Sequence, residues 1–438
     1  MRFFDMLRRH WMPLALLAIG LATHFSFIAR PAEVVFDEVH FGKFVSAYFT
    51  GEYYFDIHPP LGKLLIALAA RIAGFEPGFD FATNGEAYGD VPYVALRFLP
   101  NLAGALIPLA GFWLARELQF SRGAAFAVGL LLALDNAILV QSHYMLIDGF
   151  MLVFGILGLA AFLRARSRGY AWRWLCLAGA LLAAAISVKW IGLPFFMGAL
   201  LLAAADCARG FSLRVILRSI VCLGLVPLAV YVLLFIPHFA LLPNPGFGDG
   251  YMPQGFREEN FTRKFVTLNR VMYTANAANL QTHPWSSRPE TWPLMLRPVS
   301  FWRKSAGGFT AEINSIGNPA VWWGTTIAGF LALLFWIPER GRERRWLLFA
   351  LWFGSILPFF PVQRTLFMYH YLPALVFAIF IAVGWLTEPS AHQRHKTIAL
   401  YSMVALAVIL FLYFMPFSYG LYLDDAARAQ HFWLPSWD

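Results

Sequence analysis

Apolar residues arrive in blocks of about 17 to 23, covering about 11–29, 95–115, 123–140, 146–163, 173–189, 191–206, 215–237, 319–337, 346–361, 370–387 and 398–417. A helix rises about 1.5 Å per residue, so a block of this length crosses a hydrocarbon layer of roughly 30 Å. The pattern predicts an all-α integral membrane protein with about eleven transmembrane helices in one membrane domain, 1–438. Two long segments, 30–94 and 238–318, interrupt the series, and a tail, 418–438, follows it.

The polar connections orient these helices. With the N-terminus inside, the cytoplasmic connections carry Arg116 and Arg122, Arg164, Arg166, Arg168 and Arg173, Arg209, Arg214 and Arg218, Arg340, Arg342, Arg344 and Arg345, and Arg394 with Lys396. The short outside connections hold little beyond Lys189 and Arg364. Basic residues in short loops set orientation, so 30–94, 238–318 and the tail fall outside. In the first of these, Pro59-Pro60 opens a short helix from Leu61 to Ile72, too short and too charged to span. It fits an interfacial helix with Leu64, Leu65, Leu68 and Ile72 toward the lipid and Lys63 near the headgroups.

Composition agrees: 59% of the 438 residues are hydrophobic and 13% charged, far from the balance of a soluble domain. The net charge of +9 is scattered in short clusters between apolar blocks, which excludes the continuous basic face of a nucleic-acid protein. Cys176, Cys207 and Cys222 lie in or beside apolar blocks, supporting neither a disulfide framework nor a thiolate metal site. Arg2, Arg8 and Arg9 before the first block resemble a secretory signal, but no small-x-small cleavage site follows, so the block is read as a retained span.

Candidate chemistry concentrates in the outside segments. Asp37 and Glu38 are adjacent acids just beyond the first span, where they contribute nothing to insertion. A transfer that displaces a phosphate-linked leaving group needs one carboxylate base and no second acid, because phosphate leaves unprotonated. Asp56, His58 and Lys63 form a second cluster joined to the first by Glu52, Tyr53, Tyr54 and Phe55, a wall of rings and polar groups suited to a sugar. The ligand set expected for zinc is not completed near Asp56 and His58. Arg97, Asp135, Asn136, Gln141, Ser142, His143, Asp148, Lys189 and Arg364 lie near the outer ends of spans, where ionisable residues are costly and mark function. Arg97, Lys189 and Arg364 can meet a lipid phosphate at headgroup depth; alternatively Arg97 and Lys189 neutralise Asp135 and Asp148.

The runs Phe36-Asp37-Glu38-Val39-His40-Phe41-Gly42-Lys43-Phe44, Tyr48-Phe49-Thr50-Gly51-Glu52-Tyr53 and Asp56-Ile57-His58-Pro59-Pro60-Leu61-Gly62-Lys63 resemble the protein O-mannosyltransferase family. The likeness continues through Arg97, Asp135-Asn136, Gln141-Ser142, Leu146-Ile147-Asp148, Ser187-Val188-Lys189-Trp190, Trp292-Pro293-Leu294, Gly317-Asn318-Pro319 and Tyr369-His370-Tyr371-Leu372-Pro373. It implies a GT-C glycosyltransferase fold and inverting transfer of mannose from a polyprenyl-phosphate donor to Ser or Thr of exported proteins. Asp37 and Glu38 would be the catalytic acids and Arg97 a functional arginine, with Lys189, Arg364, His58, Lys63 and Asp148 around the donor phosphate and sugar. No tightly bound cofactor is implied, and a divalent metal is left open. Two departures stand out: His143 replaces the arginine usual in eukaryotic members, and 238–318 is too short for their additional β-trefoil domain. The first weakens any role for position 143; the size and the lack of that domain suit a bacterial member of the inner membrane. Transfer of another sugar to a lipid or glycan is the rival enzyme reading. A lipid-linked sugar transporter would need inverted repeats and broken spans at matching places in two halves, and no such symmetry is evident.

The charge asymmetry makes a direct prediction. Membrane-impermeant thiol reagents applied from outside should label cysteines introduced at 80–90 and 250–260 but not at 340–345; outside labelling at 340–345 would invert the topology.

Overall fold

The computed structural model describes residues 2–210, 212–278, 283–335 and 342–438. Helix α1 (Arg2–Phe25) leads into a segment bearing α2 (Glu38–Thr50) and α3 (Leu61–Ile72). The bundle then continues through α4 (Tyr93–Glu117), α5 (Arg122–Ala133), α6 (Asn136–His143), α7 (Asp148–Arg166), α8 (Trp172–Val188) and α9 (Leu193–Ala208). A further rod comprises α10 (Leu213–Ile220), a π-helical stretch Val221–Leu225, α11 (Val226–Leu233) and α12 (Phe235–Ala240). After α13 (Phe261–Ala278) and the strands β1 (Ser300–Ala306) and β2 (Phe309–Asn314) come α14 (Pro319–Leu334), α15 (Arg342–Gly354), α16 (Leu372–Thr387) and α17 (Gln393–Tyr419). Strand β3 (Tyr422–Asp424) and α18 (Asp425–Gln430) lie in the tail.

The expected apolar blocks lie largely on these helices. Among the described residues, six stretches are long and apolar enough to cross a membrane, or seven if the bent pair α5–α6 is one crossing; His10–Phe25, Trp172–Val188 and Pro319–Leu334 are shorter apolar helices. The block 346–361 is represented by the thirteen residues of α15 and a 3-10 turn, Leu357–Phe359. Residues 336–337 of the block before it, and Arg340 of the orientation argument, lie outside the described residues.

The connections grouped as cytoplasmic meet at one end of the bundle. Arg164 pairs with Glu117, Arg166 with Asp206 and Glu343, Arg209 with Asp206 and Glu343, and Arg345 with Glu388. The other end is built from the two long segments and the tail.

Three features depart from the simple helical reading. First, the block 123–140 is bent by 59° between α5 and α6. Asp135 is extended there, and its carboxylate caps α6 through Ile138 N at 2.9 Å while accepting from Asn318 N at 3.1 Å and Trp322 Nε1 at 2.8 Å. A helix interrupted within the bundle exposes backbone groups that only internal partners can satisfy, and Asp135 supplies them. Second, the second outside segment and the tail share an antiparallel sheet in the order β1-β2-β3, with Ala311 opposite Tyr422 and Phe309 opposite Asp424. Glu312 is buried inside it and holds Arg303 and Arg428. Third, α3 does turn Leu68 and Ile72 outward, 53% and 81% exposed, but Lys63 lies on the buried face.

Asp135→Ala should therefore leave three buried N–H groups unpartnered and cost about 3 kcal/mol or more, at roughly 1–3 kcal/mol per orphaned group. Thermal unfolding in detergent measures it; an unchanged midpoint would contradict the role of Asp135.

Candidate active site

The site forms where the first outside segment meets the ends of α7, α8 and α16. Phe36 has φ +47, a strained conformation for a bulky residue. It is held from both sides: its N–H donates to Asn84 Oδ1 at 3.1 Å, its ring stacks on Phe301 of β1 at 4.2 Å, and Asn84 Nδ2 donates to Phe301 O at 2.7 Å. The sheet thus fixes the entry to α2. Asp37 occupies the N-cap of α2, a position where aspartate commonly accepts from the helix N–H groups. Here its side chain makes no capping bond and instead lines an open cleft of about 760 Å³.

Glu38 points the other way. Its carboxylate is fully buried and accepts five hydrogen bonds: Arg97 Nε at 2.8 Å and Met145 N at 2.9 Å on Oε1, and Val35 N, Tyr88 Oη and Arg97 Nη2 at 2.8 Å each on Oε2. Arg97 is equally buried. Its remaining N–H groups go to the carbonyls of Pro31 at 2.9 Å and Glu33 at 3.0 Å, with Ile28 and Arg30 at 3.4 Å, and its guanidinium lies near the rings of Tyr88, Tyr93 and Tyr144. Two sequence-based assignments are corrected by this geometry. Arg97 has no N–H left for a donor phosphate and its partner is Glu38, not Asp135; the Glu38 carboxylate is taken up by Arg97 and its other partners and does not line the cleft. Lys63 is corrected likewise, for its ammonium is spent on Asp56 and on the carbonyls of His58 at 2.7 Å and Pro59 at 3.0 Å.

The cations that do reach the cleft are Lys189 and Arg364. Lys189 interrupts the chain between α8 and α9 in an extended conformation, donates to Asp148 Oδ2 at 2.7 Å and lies 5.4 Å from the Tyr369 ring centre. The pairing of Lys189 with Asp148 expected from sequence is therefore present, while the other Asp148 oxygen is buried without a partner. Arg364 donates from Nη2 to His370 Nε2 at 3.1 Å, which leaves His370 Nδ1–H to donate to Phe367 O at 2.9 Å and fixes a neutral tautomer. His58 lines the same cleft, and burial, with Lys189 next in weight, pushes its imidazole well below the ordinary value, so it too is neutral.

Burial raises the Asp37 carboxyl to about 6; His40 and Lys189 pull it down, and Asp148 and Asp56 push it up. A carboxylate so tuned is ionised at neutral pH yet binds a proton more readily than an exposed aspartate, the property of a general base. Among the described residues, no group of three or more His, Cys, Asp or Glu could hold a metal ion. Tyr369, His370, Asn84 and Tyr251 also line the cleft and were not singled out as site residues from sequence. The Tyr-His-Tyr run immediately before an apolar block was the available signal for the first two.

Residues 14–243 match the family model described as dolichyl-phosphate-mannose-protein mannosyltransferase, and residues 261–437 match that of the C-terminal four TMM region of protein-O-mannosyltransferase. Protein O-mannosyltransferase 1 of Drosophila pseudoobscura pseudoobscura is 37% identical over 257 residues, 55% of this chain and 28% of that protein. Dolichyl-phosphate-mannose–protein mannosyltransferase 4 of Schizosaccharomyces pombe is 32% identical over 321 residues, 67% of this chain and 41% of that protein. The chain thus spans less than half the length of these curated relatives. A chain of the S. cerevisiae protein O-mannosyltransferase Pmt1-Pmt2 complex bound to the sugar donor is similar with a TM-score of 0.88 over 99% of this chain and 93% of that one, at 18% identity. ArnT from Cupriavidus metallidurans bound to undecaprenyl phosphate gives a TM-score of 0.60 over 96% and 78%, at 14% identity. At such identities these two likenesses establish a shared GT-C fold.

The Glu38–Arg97 pair yields a stability prediction. Removing one partner strands a buried charge, so Glu38→Gln or Arg97→Met should each cost about 3–5 kcal/mol. The double variant should cost less than the sum of the two. Additive losses in detergent unfolding would contradict the coupling.

Proposed function

We propose that this chain, which belongs to the dolichyl-phosphate-mannose-protein mannosyltransferase family, moves mannose from a polyprenyl-phosphate carrier to Ser or Thr hydroxyls of exported proteins. The observation that carries this reading is the joint presence, in one cleft, of an unbonded, desolvated Asp37 carboxylate and the Lys189 and Arg364 cations. Asp37 takes the proton of the acceptor hydroxyl as its oxygen attacks the anomeric carbon. The carbon–phosphate oxygen bond breaks on the opposite side, inverting the anomeric centre. The charge gathering on the departing phosphate is met by Lys189 and Arg364, which need only be in place beforehand to lower the barrier. Glu38 and Arg97 act as positioning residues that hold the Asp37 segment.

The relatives that bind a sugar donor and a polyprenyl phosphate in this fold support the choice of donor. The acceptor is read from the family to which the chain belongs. We further assign the chain to a bacterial inner membrane, N-terminus inside and C-terminus outside. The arginine-bearing connections gather at one end of the bundle and the cleft lies at the other, which under the positive-inside rule supports reading the cleft as periplasmic.

The test is transfer of radiolabelled mannose from polyprenyl-phosphate mannose to Ser/Thr peptides by purified protein. Asp37→Asn keeps size and loses basicity, so turnover should fall about 10² to 10⁴ fold, the contribution of a positioned base, with donor affinity largely retained. Lys189→Ala and Arg364→Ala should weaken donor affinity as well as turnover. Near-normal turnover by the Asp37 variant would overturn the assignment.

A further inference from the structure

Lys63 is spent entirely inside the protein, and what it accomplishes there is to fix a second carboxylate at the cleft. Its ammonium grips Asp56 by Oδ2 alone. The His58 and Pro59 carbonyls take its other two N–H groups, so the grip cannot rotate away. Asp56 Oδ1 has no hydrogen-bond partner among the described residues, and Asp56 lines the cleft that Asp37 lines. On the same wall Phe55 and Tyr251 also face the cleft, their rings stacked at 4.9 Å.

A pyranose presents hydroxyl donors along its rim and C–H groups on its faces. Binding one of a given configuration needs an acceptor oxygen held rigidly toward the rim and an aromatic surface for a face. Asp37 is committed to the acceptor's proton. Lys189 and Arg364 are cations, suited to phosphate oxygens. Of the cleft carboxylates, that leaves Asp56, which lines the cleft and is held by the Lys63 ammonium through one oxygen only. We infer that Asp56 reads the hydroxyls of the transferred sugar through Oδ1, with Phe55 and Tyr251 packing against the sugar and Lys63 as the positioning residue that sets the carboxylate. A site built to accept hydroxyl hydrogen bonds discriminates strongly against sugars that do not supply them, since its buried acceptor is then left unpaired.

This inference rests on the donor reading above, and one pair of ligands separates the two. Polyprenyl-phosphate mannose and bare polyprenyl phosphate differ only in the sugar, and binding of both to purified protein can be measured in detergent. Asp56→Asn should weaken the mannose-bearing lipid tenfold or more and leave the bare phosphate within about twofold of wild type. It should also move the acid limb of the pH–rate profile to lower pH, because a negative neighbour that raises Asp37 is gone. Asp56→Glu keeps the charge beside Lys63, which guards against loss of folding. It should show the same selective loss of the mannose-bearing lipid with the acid limb unmoved. Equal weakening of both lipids, or no weakening of either, in a folded Asp56→Glu variant would overturn the role of Asp56. A wild-type protein that binds the bare lipid but gains nothing from the sugar would also overturn it, whereas one that binds neither lipid would overturn the donor reading itself.

Discussion

The arrangement of the site depends on one buried ion pair, Glu38 with Arg97. Moving two charges out of water is costly, and the cost is recovered only when the geometry is good and every remaining donor and acceptor is met. Here every one is: five hydrogen bonds converge on the carboxylate, and the guanidinium spends what is left on backbone carbonyls of 28–33. The pair joins α4, the chain leaving α1, and the turn before α7 at a single point. Consecutive residues at the start of a helix point in different directions. Locking Glu38 inward therefore aims Asp37 at the cleft, so that of the two adjacent acids one is held inside the protein and the other is left open.

Other parts of the chain make that aim rigid. The strained Phe36 is stacked on β1, and β1 is tied back to the first segment by Trp302 Nε1 donating to Glu33 at 2.9 Å. The cleft opens because the bundle is interrupted beside it: α8 gives way at Lys189 to a 3-10 turn, and α6 ends before Asp148 begins α7. Interrupted helices bring polar backbone and side chains to a depth where continuous spans present only apolar surface. Function and fold thus meet at the breaks.

Much of this was legible in the sequence. The apolar blocks located the helices, and the arginine asymmetry grouped the connections that the structure gathers at one end. Asp37, His58, Lys189 and Arg364 were named from residue type and depth, and they share the cleft. What the sequence could not convey was pairing. Arg97 and Asp135 lie at similar depths, so matching them was reasonable, yet Glu38 is 59 positions before Arg97 and reaches it only through the fold. Lys63 stands at a helix start with apolar neighbours, a pattern equally consistent with an exposed lysine at a headgroup and a buried one gripping Asp56. The bend at Asp135 was hidden within a block apolar enough to read as one straight span. The sheet was missed because β3 is three residues long and pairs across more than a hundred positions with β2.

The central claim is that Asp37, held by its neighbours and partly desolvated, is the group whose ionisation controls transfer. The most direct measurement is the single-turnover rate with saturating polyprenyl-phosphate mannose and peptide across pH 4.5 to 8, for wild type and Asp37→Asn. A base must be deprotonated to act, and its acid form predominates below a pKa of about 6. The wild-type rate should be level near neutrality and fall about tenfold per unit once pH drops well below 6, while the Asp37→Asn rate stays low and flat. A wild-type rate that does not fall through this range, or an Asp37→Asn variant that retains the same acid limb, would contradict the account.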